Sequence, residues 1–133
     1  MKKNKIILVE NDEDEQFFMK EGFEASGLFE LLTIADDGNH LFDWLEKNSP
    51  VLPDIILSDL NMPGKNGYDI LTEIRRHPAY SQISVIIIST SSAPTVIKRC
   101  RDLGATDYMV KPDTFIEYKA FAQKLYDLLL ARG

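Results

Sequence analysis

Asp54-Ile55-Ile56-Leu57-Ser58-Asp59-Leu60-Asn61-Met62-Pro63-Gly64-Lys65-Asn66-Gly67 is the stretch on which the fold turns. Residues 55–57 form a short unbroken apolar run rich in β-branched side chains, which suits a strand covered on both faces. Asp59 closes the run, and Met62-Pro63-Gly64 and Asn66-Gly67 then turn the chain. A carboxylate at the carboxyl end of a central strand stands where open α/β sheets carry their ligand chemistry. Asp59 is therefore the first candidate for a reactive group.

Outward from this stretch, the same kind of run recurs at residues 6–9, 85–88 and, more weakly, 107–110. Residues 31–35 end at Asp36-Asp37-Gly38 and fit an edge or near-edge strand. Between the runs, helical patterns are predicted over 13–26, 39–47, 67–76 and 94–103. Gly27, Asn48-Ser49-Pro50, His77-Pro78 and Gly104 close them in turn. A last helix is predicted over about 115–131, with Phe121, Leu125, Leu128 and Leu129 at helical spacing. Regular β-then-α alternation implies parallel strands joined by right-handed crossovers, a doubly wound α/β domain of three layers. No linker, repeat or low-complexity segment interrupts it, so residues 1–133 are expected to form one domain with no effector domain.

A chain of 133 residues can bury roughly two thirds of its unfolded surface and stand without staples. Its 44% apolar and 27% charged residues are close to the average for globular proteins and favour neither a disordered nor a fibrous class. The formal net charge of -6 argues against non-specific nucleic-acid binding. Lys98-Arg99-Cys100-Arg101, the dense basic cluster beyond the amino terminus, reads as a solvated helix face. Cys100 is the only cysteine, which excludes an intrachain disulfide and a cysteine metal cage and suits a reducing compartment. Met1-Lys2-Lys3-Asn4-Lys5 has the charge of an export signal, but Glu10 interrupts the apolar stretch after only Ile6-Ile7-Leu8-Val9. No run approaches the roughly 18 apolar residues of a membrane span, so no membrane insertion is expected and the location should be cytoplasmic.

With the strands parallel, one crevice gathers Glu10-Asn11-Asp12, Asp59, Ser89-Thr90 and Lys111-Pro112. The set suits phosphoryl transfer to Asp59: a carboxylate nucleophile, acidic oxygens for a hard divalent cation, and a hydroxyl and a lysine for phosphoryl oxygens. Singly, each residue has a plainer use. Asp59 could cap a turn, Lys111 could be a surface lysine before a proline, and Ser89 could be a satisfied strand-end hydroxyl with Thr90 as its rival. No phosphate-cradling G-x-x-x-x-G-K-[ST] or G-x-G-x-x-G follows the first strand, and His40 and His77 are isolated.

The residues Ile7-Leu8-Val9-Glu10-Asn11, Asp59-Leu60-Asn61-Met62-Pro63, Asn66-Gly67, Ser89 and Lys111-Pro112 make nearly the whole chain resemble the receiver domain of bacterial two-component response regulators, of the single-domain, chemotaxis-regulator-like kind. Ser89 lies 30 positions and Lys111 52 positions after Asp59, the spacings of that family. The resemblance implies a flavodoxin-like five-stranded parallel sheet of order 2-1-3-4-5. It implies that Asp59 accepts a phosphoryl group from a phosphohistidine on a sensor histidine kinase or histidine phosphotransfer protein. Magnesium would be held by Glu10, Asn11, Asp59 and the backbone carbonyl of Asn61. Ser89 and Lys111 would bind the phosphoryl group, and Tyr108 would move inward as a switch. The side chains of Asn61 and Ser91 would tune the path of the hydrolytic water, and Pro112 would be structural. Such a domain catalyses its own phosphorylation and dephosphorylation and does not turn over a small substrate. Output would run through the face of the fourth helix, fifth strand and fifth helix, with Lys98, Arg101, Tyr108, Lys119 and Tyr126 as candidates to bind a downstream protein in trans.

Two positions depart from the family pattern. Asn11 stands where a second acid is usual, so magnesium should bind more weakly, unless Asp12 substitutes through a shift of the loop. Asp113 follows Pro112 where an apolar residue is common, and reads as a cap for the last helix. Two classes of function stay open, a phosphoacceptor and a pseudo-receiver that uses the fold as a protein-interaction module without phosphate.

Overall fold

Pleating sends successive side chains of a strand to opposite faces, and this chain places apolar groups on both. Ile7, Val9, Ile56, Val85 and Ile87 pack on one side with Leu41, Leu45, Ile70, Leu71 and Ile74. Ile6, Leu8, Ile55, Leu57, Ile86 and Ile88 pack on the other with Met19, Phe23, Phe121 and Leu125. The computed structural model, which describes residues 2–114 and 117–132, therefore sandwiches a sheet between two helical layers.

In chain order the elements are β1 (Asn4–Val9), α1 (Glu13–Ser26), β2 (Phe29–Ala35), α2 (Gly38–Lys47), β3 (Ile55–Asp59), α3 (Gly67–Arg76), β4 (Ser84–Ser89), α4 (Pro94–Asp102), β5 (Asp107–Val110) and α5 (Tyr118–Arg132). All strand pairs are parallel, in the order β2-β1-β3-β4-β5. This is the flavodoxin-like order, whose direction of winding reverses between β1 and β3, so the crevice opens at their carboxyl ends.

The boundaries differ slightly from those predicted. β2 begins at Phe29, because Glu30 points outward at the sheet edge while Phe29 packs 5.6 Å from Phe23 and 6.2 Å from Tyr126, ring to ring. α2 starts one residue earlier, with the Asp37 carboxylate accepting from the His40 amide. α4 stops one residue sooner. The predicted start of the last helix near 115 lies outside the described residues. Asp113, expected to cap that helix, is exposed.

Two local features aim the chain at the crevice. At α3, Asn66 and Asp69 exchange side-chain-to-backbone hydrogen bonds of 3.1 and 3.0 Å, a capping box. The Gly67 amide donates to the Leu60 carbonyl at 2.9 Å, and a Cβ on Gly67 would stand 2.9 Å from Leu60 Cα and 3.0 Å from the Asp59 oxygen. Only glycine lets the helix start so close to β3. Farther off, Arg75 lies in the last turn of α3, and its guanidinium donates to the Gly104, Ser81 and Ile83 carbonyls at 2.9, 3.1 and 2.7 Å. It fastens the entrances of β4 and β5 to α3.

Candidate functional site

Glu10 follows β1, and its amide still donates to the Ala35 carbonyl of β2 at 2.9 Å, which extends the strand's hold by one residue. Its carboxylate is 1% exposed and accepts the Asp12 amide at 3.1 Å. Asp59 ends β3 at 6% exposure. Ser89 ends β4, and alternation buries it completely while leaving Thr90 exposed. Lys111 follows β5 and is anchored by its amide to the Ser89 carbonyl at 2.8 Å. Strand register thus brings together the residues that lie far apart in sequence.

The Lys111 ammonium is the hub. It stands 3.1 Å from Glu10 Oε1, 3.4 Å from Asp59 Oδ1 and 2.6 Å from Glu15 Oε2. Glu15 was not among the candidates read from sequence. Asp12-x-x-Glu15 looks like a capping box, in which Glu15 would reach back to the Asp12 amide. Half of that box forms, with the Asp12 carboxylate accepting the Glu15 amide at 2.9 Å. The other half does not, because Glu10 already occupies the Asp12 amide. Glu15 is left free for Lys111.

Three buried carboxylates around one ammonium distort the acid–base properties of the crevice. Burial, the adjacent Glu15 carboxyl and the Asp59 charge push Glu10 up to about 8. Burial likewise raises Asp59, with Lys111 opposing and Glu15 adding to the rise. Burial works against the charged form of Lys111, but the Glu15 hydrogen bond and the charges of Asp59 and Glu10 outweigh it, and the lysine is raised above its ordinary range.

The remaining candidates lie around this hub. Asn11 and Asn61 are exposed at the rim. Asp12 serves as the cap of α1, so its carboxylate is engaged. Ser91 donates its amide to Ser89 Oγ at 3.2 Å and accepts the Tyr108 hydroxyl on its carbonyl at 2.6 Å. Tyr108 is buried, with its hydroxyl tied to the β4–α4 loop and not left in water. Pro112 is half-buried beside Lys111.

The donor set fits magnesium. That ion takes hard oxygen ligands, usually one or two carboxylates, and keeps several waters. Glu10 and Asp59 offer buried carboxylates, the Asn61 backbone lies two residues beyond Asp59, and three acids against one ammonium leave the crevice negative. Among the described residues no group of three or more acidic, histidine or cysteine side chains is placed to hold a metal ion. An ion that retains its waters does not need such a group.

The chain matches the response regulator receiver domain family over residues 6–121 and belongs to it. It is 26% identical over 128 residues to FilR2 of Methanothrix harundinacea, a protein named for methanogenesis regulation, covering 94% of this chain and 83% of that one. Against other curated relatives it spans about half their length or less. Among solved structures it is similar to the phosphorylated cyanobacterial phytochrome response regulator RcpA, with TM-score 0.84, 27% identity, and 99% and 97% of the two chains covered. It is also similar to the Mn2+-bound form of response regulator Rcp1, with TM-score 0.79, 28% identity, and 96% and 94% covered. Among the described residues no helix is long and apolar enough to cross a membrane.

Proposed function

We propose that this receiver domain is a phosphoacceptor in a two-component phosphorelay and that Asp59 is its site. The observation that carries this is the Lys111 ammonium 3.4 Å from Asp59 Oδ1 in a buried crevice that Ser89 also lines. In the reaction, an Asp59 oxygen attacks the phosphorus of a phosphohistidine on a sensor histidine kinase or phosphotransfer protein. The P–O bond forms as the P–N bond breaks, and its electron pair returns to the imidazole. Magnesium, when bound, neutralises charge on the transferring group; Glu10, Asp59 and the Asn61 carbonyl would hold it, with Asn11 at the rim. Lys111 steadies the phosphoryl oxygens, and Ser89 donates its hydroxyl to one of them.

The switch follows from contacts around Ser89. Drawing Ser89 Oγ toward a phosphoryl oxygen disturbs its bond with the Ser91 amide, and the Ser91 carbonyl holds the Tyr108 hydroxyl. The charge on Asp59 is thereby linked to the β4–α4 loop and to the α4–β5–α5 face, where a partner protein binds. Asn61 and Ser91 flank the approach of water and set the lifetime of the acyl phosphate.

Incubation with magnesium and acetyl phosphate should add one phosphoryl mass to the intact chain, and Asp59→Asn should abolish it. The exposed Asn11, one acid fewer at the metal, favours a second reading, a pseudo-receiver acting as a protein-interaction module. Absence of the mass shift would select that reading.

A further inference from the structure

The Lys111 ammonium is held more closely by Glu15, at 2.6 Å, than by Asp59, at 3.4 Å. If Asp59 carries a phosphoryl group, as the proposed function requires, that group brings roughly two negative charges against the one on Glu15. Charge-assisted bonds of Lys111 then go to the phosphoryl oxygens. Glu15, largely buried, is left without its donor. An acceptor in that position needs another.

One buried donor is spare. The Tyr118 hydroxyl has no hydrogen-bond partner among the described residues, although the side chain is only 1% exposed. Tyr118 lies in the first turn of α5, just after the Lys111 loop, and helical side chains lean toward the amino end of their helix, here the end nearest the crevice. α1 admits it because residue 22 is glycine: a Cβ there would stand 2.6 Å from Tyr118 Cβ. Glu15 sits seven residues, two turns, before Gly22 and so on the same face of α1. Glu15 lies close enough to act on the tyrosine: after burial its charge is the largest influence raising that hydroxyl, and its side-chain hydrogen bonding adds to the rise, yet the hydroxyl has no partner at full hydrogen-bond geometry in this state.

We propose that Glu15 is a positioning residue for Lys111, and that it passes from Lys111 to the Tyr118 hydroxyl when an anion on Asp59 draws the ammonium away. The tyrosine keeps its proton and donates it in a hydrogen bond. Both partners already lie at the α1–α5 contact, so the exchange needs rotation of the Glu15 side chain and no shift of either helix. It gives phosphorylation a second route outward, toward the α1–α5 face and separate from the one through Tyr108.

The test uses the full chain with beryllium fluoride and magnesium as a non-transferring phosphoryl mimic, followed by calorimetry and by tyrosine ring-carbon NMR. Wild type should bind, Asp59→Asn should not, and the Tyr118 resonance should shift on binding. Tyr118→Phe removes a hydroxyl that is unpartnered in the resting state, so its unliganded melting temperature should be unchanged or higher. Its affinity for the mimic should fall about tenfold, the value of one buried hydrogen bond. Glu15→Gln, which loosens Lys111 in the resting state, should bind several-fold more tightly. Equal affinities for wild type and Tyr118→Phe, or weaker binding by Glu15→Gln, would overturn the exchange while leaving the phosphoacceptor reading intact. A wild type that binds no mimic sinks both.

Discussion

The two halves of the crevice are built from opposite materials. On the β1–α1 side, Glu10, Glu15 and Lys111 form a buried, charged knot at 2.6 to 3.1 Å. On the β4–β5 side, Ser89, Ser91 and Tyr108 are joined by neutral hydrogen bonds, one at 2.6 Å and one at 3.2 Å. A charged knot in a low-dielectric setting is strong while complete and costly when a partner is lost. Neutral bonds of this kind contribute about 1 kcal/mol each and can be exchanged at small cost. One half is suited to hold charge and the other to move.

If that contrast is right, removing the cation should do the most damage. Lys111→Met strips the buried acids Glu10, Glu15 and Asp59 of the cation they share, and denaturant unfolding should show a loss of about 3–5 kcal/mol.

The acids predict an unusual pH dependence. Glu10 is raised in the folded state, from 4.5 to about 8, so the folded chain holds a proton there that the unfolded chain has released. The resulting stability is fully present below pH 4.5 and is lost as pH rises through 8, on the order of a few kcal/mol in metal-free protein. Melting followed from pH 5 to 9 without divalent cations should therefore show a decline. A rise over that range would mean that Glu10 is ionised in the resting knot.

Gly67→Ala tests the loop that carries Asp59 without touching either half. Its Cβ meets Leu60 backbone at 2.9 Å, and overpacking of this kind should cost about 1–3 kcal/mol. Asn11→Asp restores an acid to the rim of the charged side. Magnesium affinity measured by titration should increase about tenfold, equivalent to about 1.4 kcal/mol. An unchanged affinity would place residue 11 outside the metal's reach. On the neutral side, Tyr108→Phe loses only the bond to the Ser91 carbonyl, and thermal unfolding should register about 1 kcal/mol. A loss as large as that of Lys111→Met would erase the contrast.

The layers were legible because hydrophobic pattern and turn residues agree at every step of the chain. Residues 6–9, 55–57 and 85–88 read as strands covered on both faces, and they are the sheet's interior. Asp59, Ser89 and Lys111 could be placed at one edge of the sheet because each ends or follows a strand. The choice between Ser89 and Thr90 is a matter of one residue of pleat, and burial separates them. Glu15 was not legible, since its sequence signal was that of a helix cap. Its actual partner depends on Glu10 taking the Asp12 amide. Arg75 was hidden for the same reason, as nothing local distinguishes a solvated helix-end arginine from one bound to three carbonyls of other segments.

Local pattern by itself determined the alternation of strands and helices, the parallel sheet and the strand ends at which chemistry could gather, because periodicity and turn chemistry are properties of neighbouring residues. Only the tertiary structure decided that Lys111 is held by Glu15 as well as Glu10, that Asn11 faces outward, and that Tyr108 and Tyr118 are buried. Those facts depend on how helix α1 settles over the sheet and how α5 approaches Gly22, and distances across the fold are set by packing between segments that share no sequence signal.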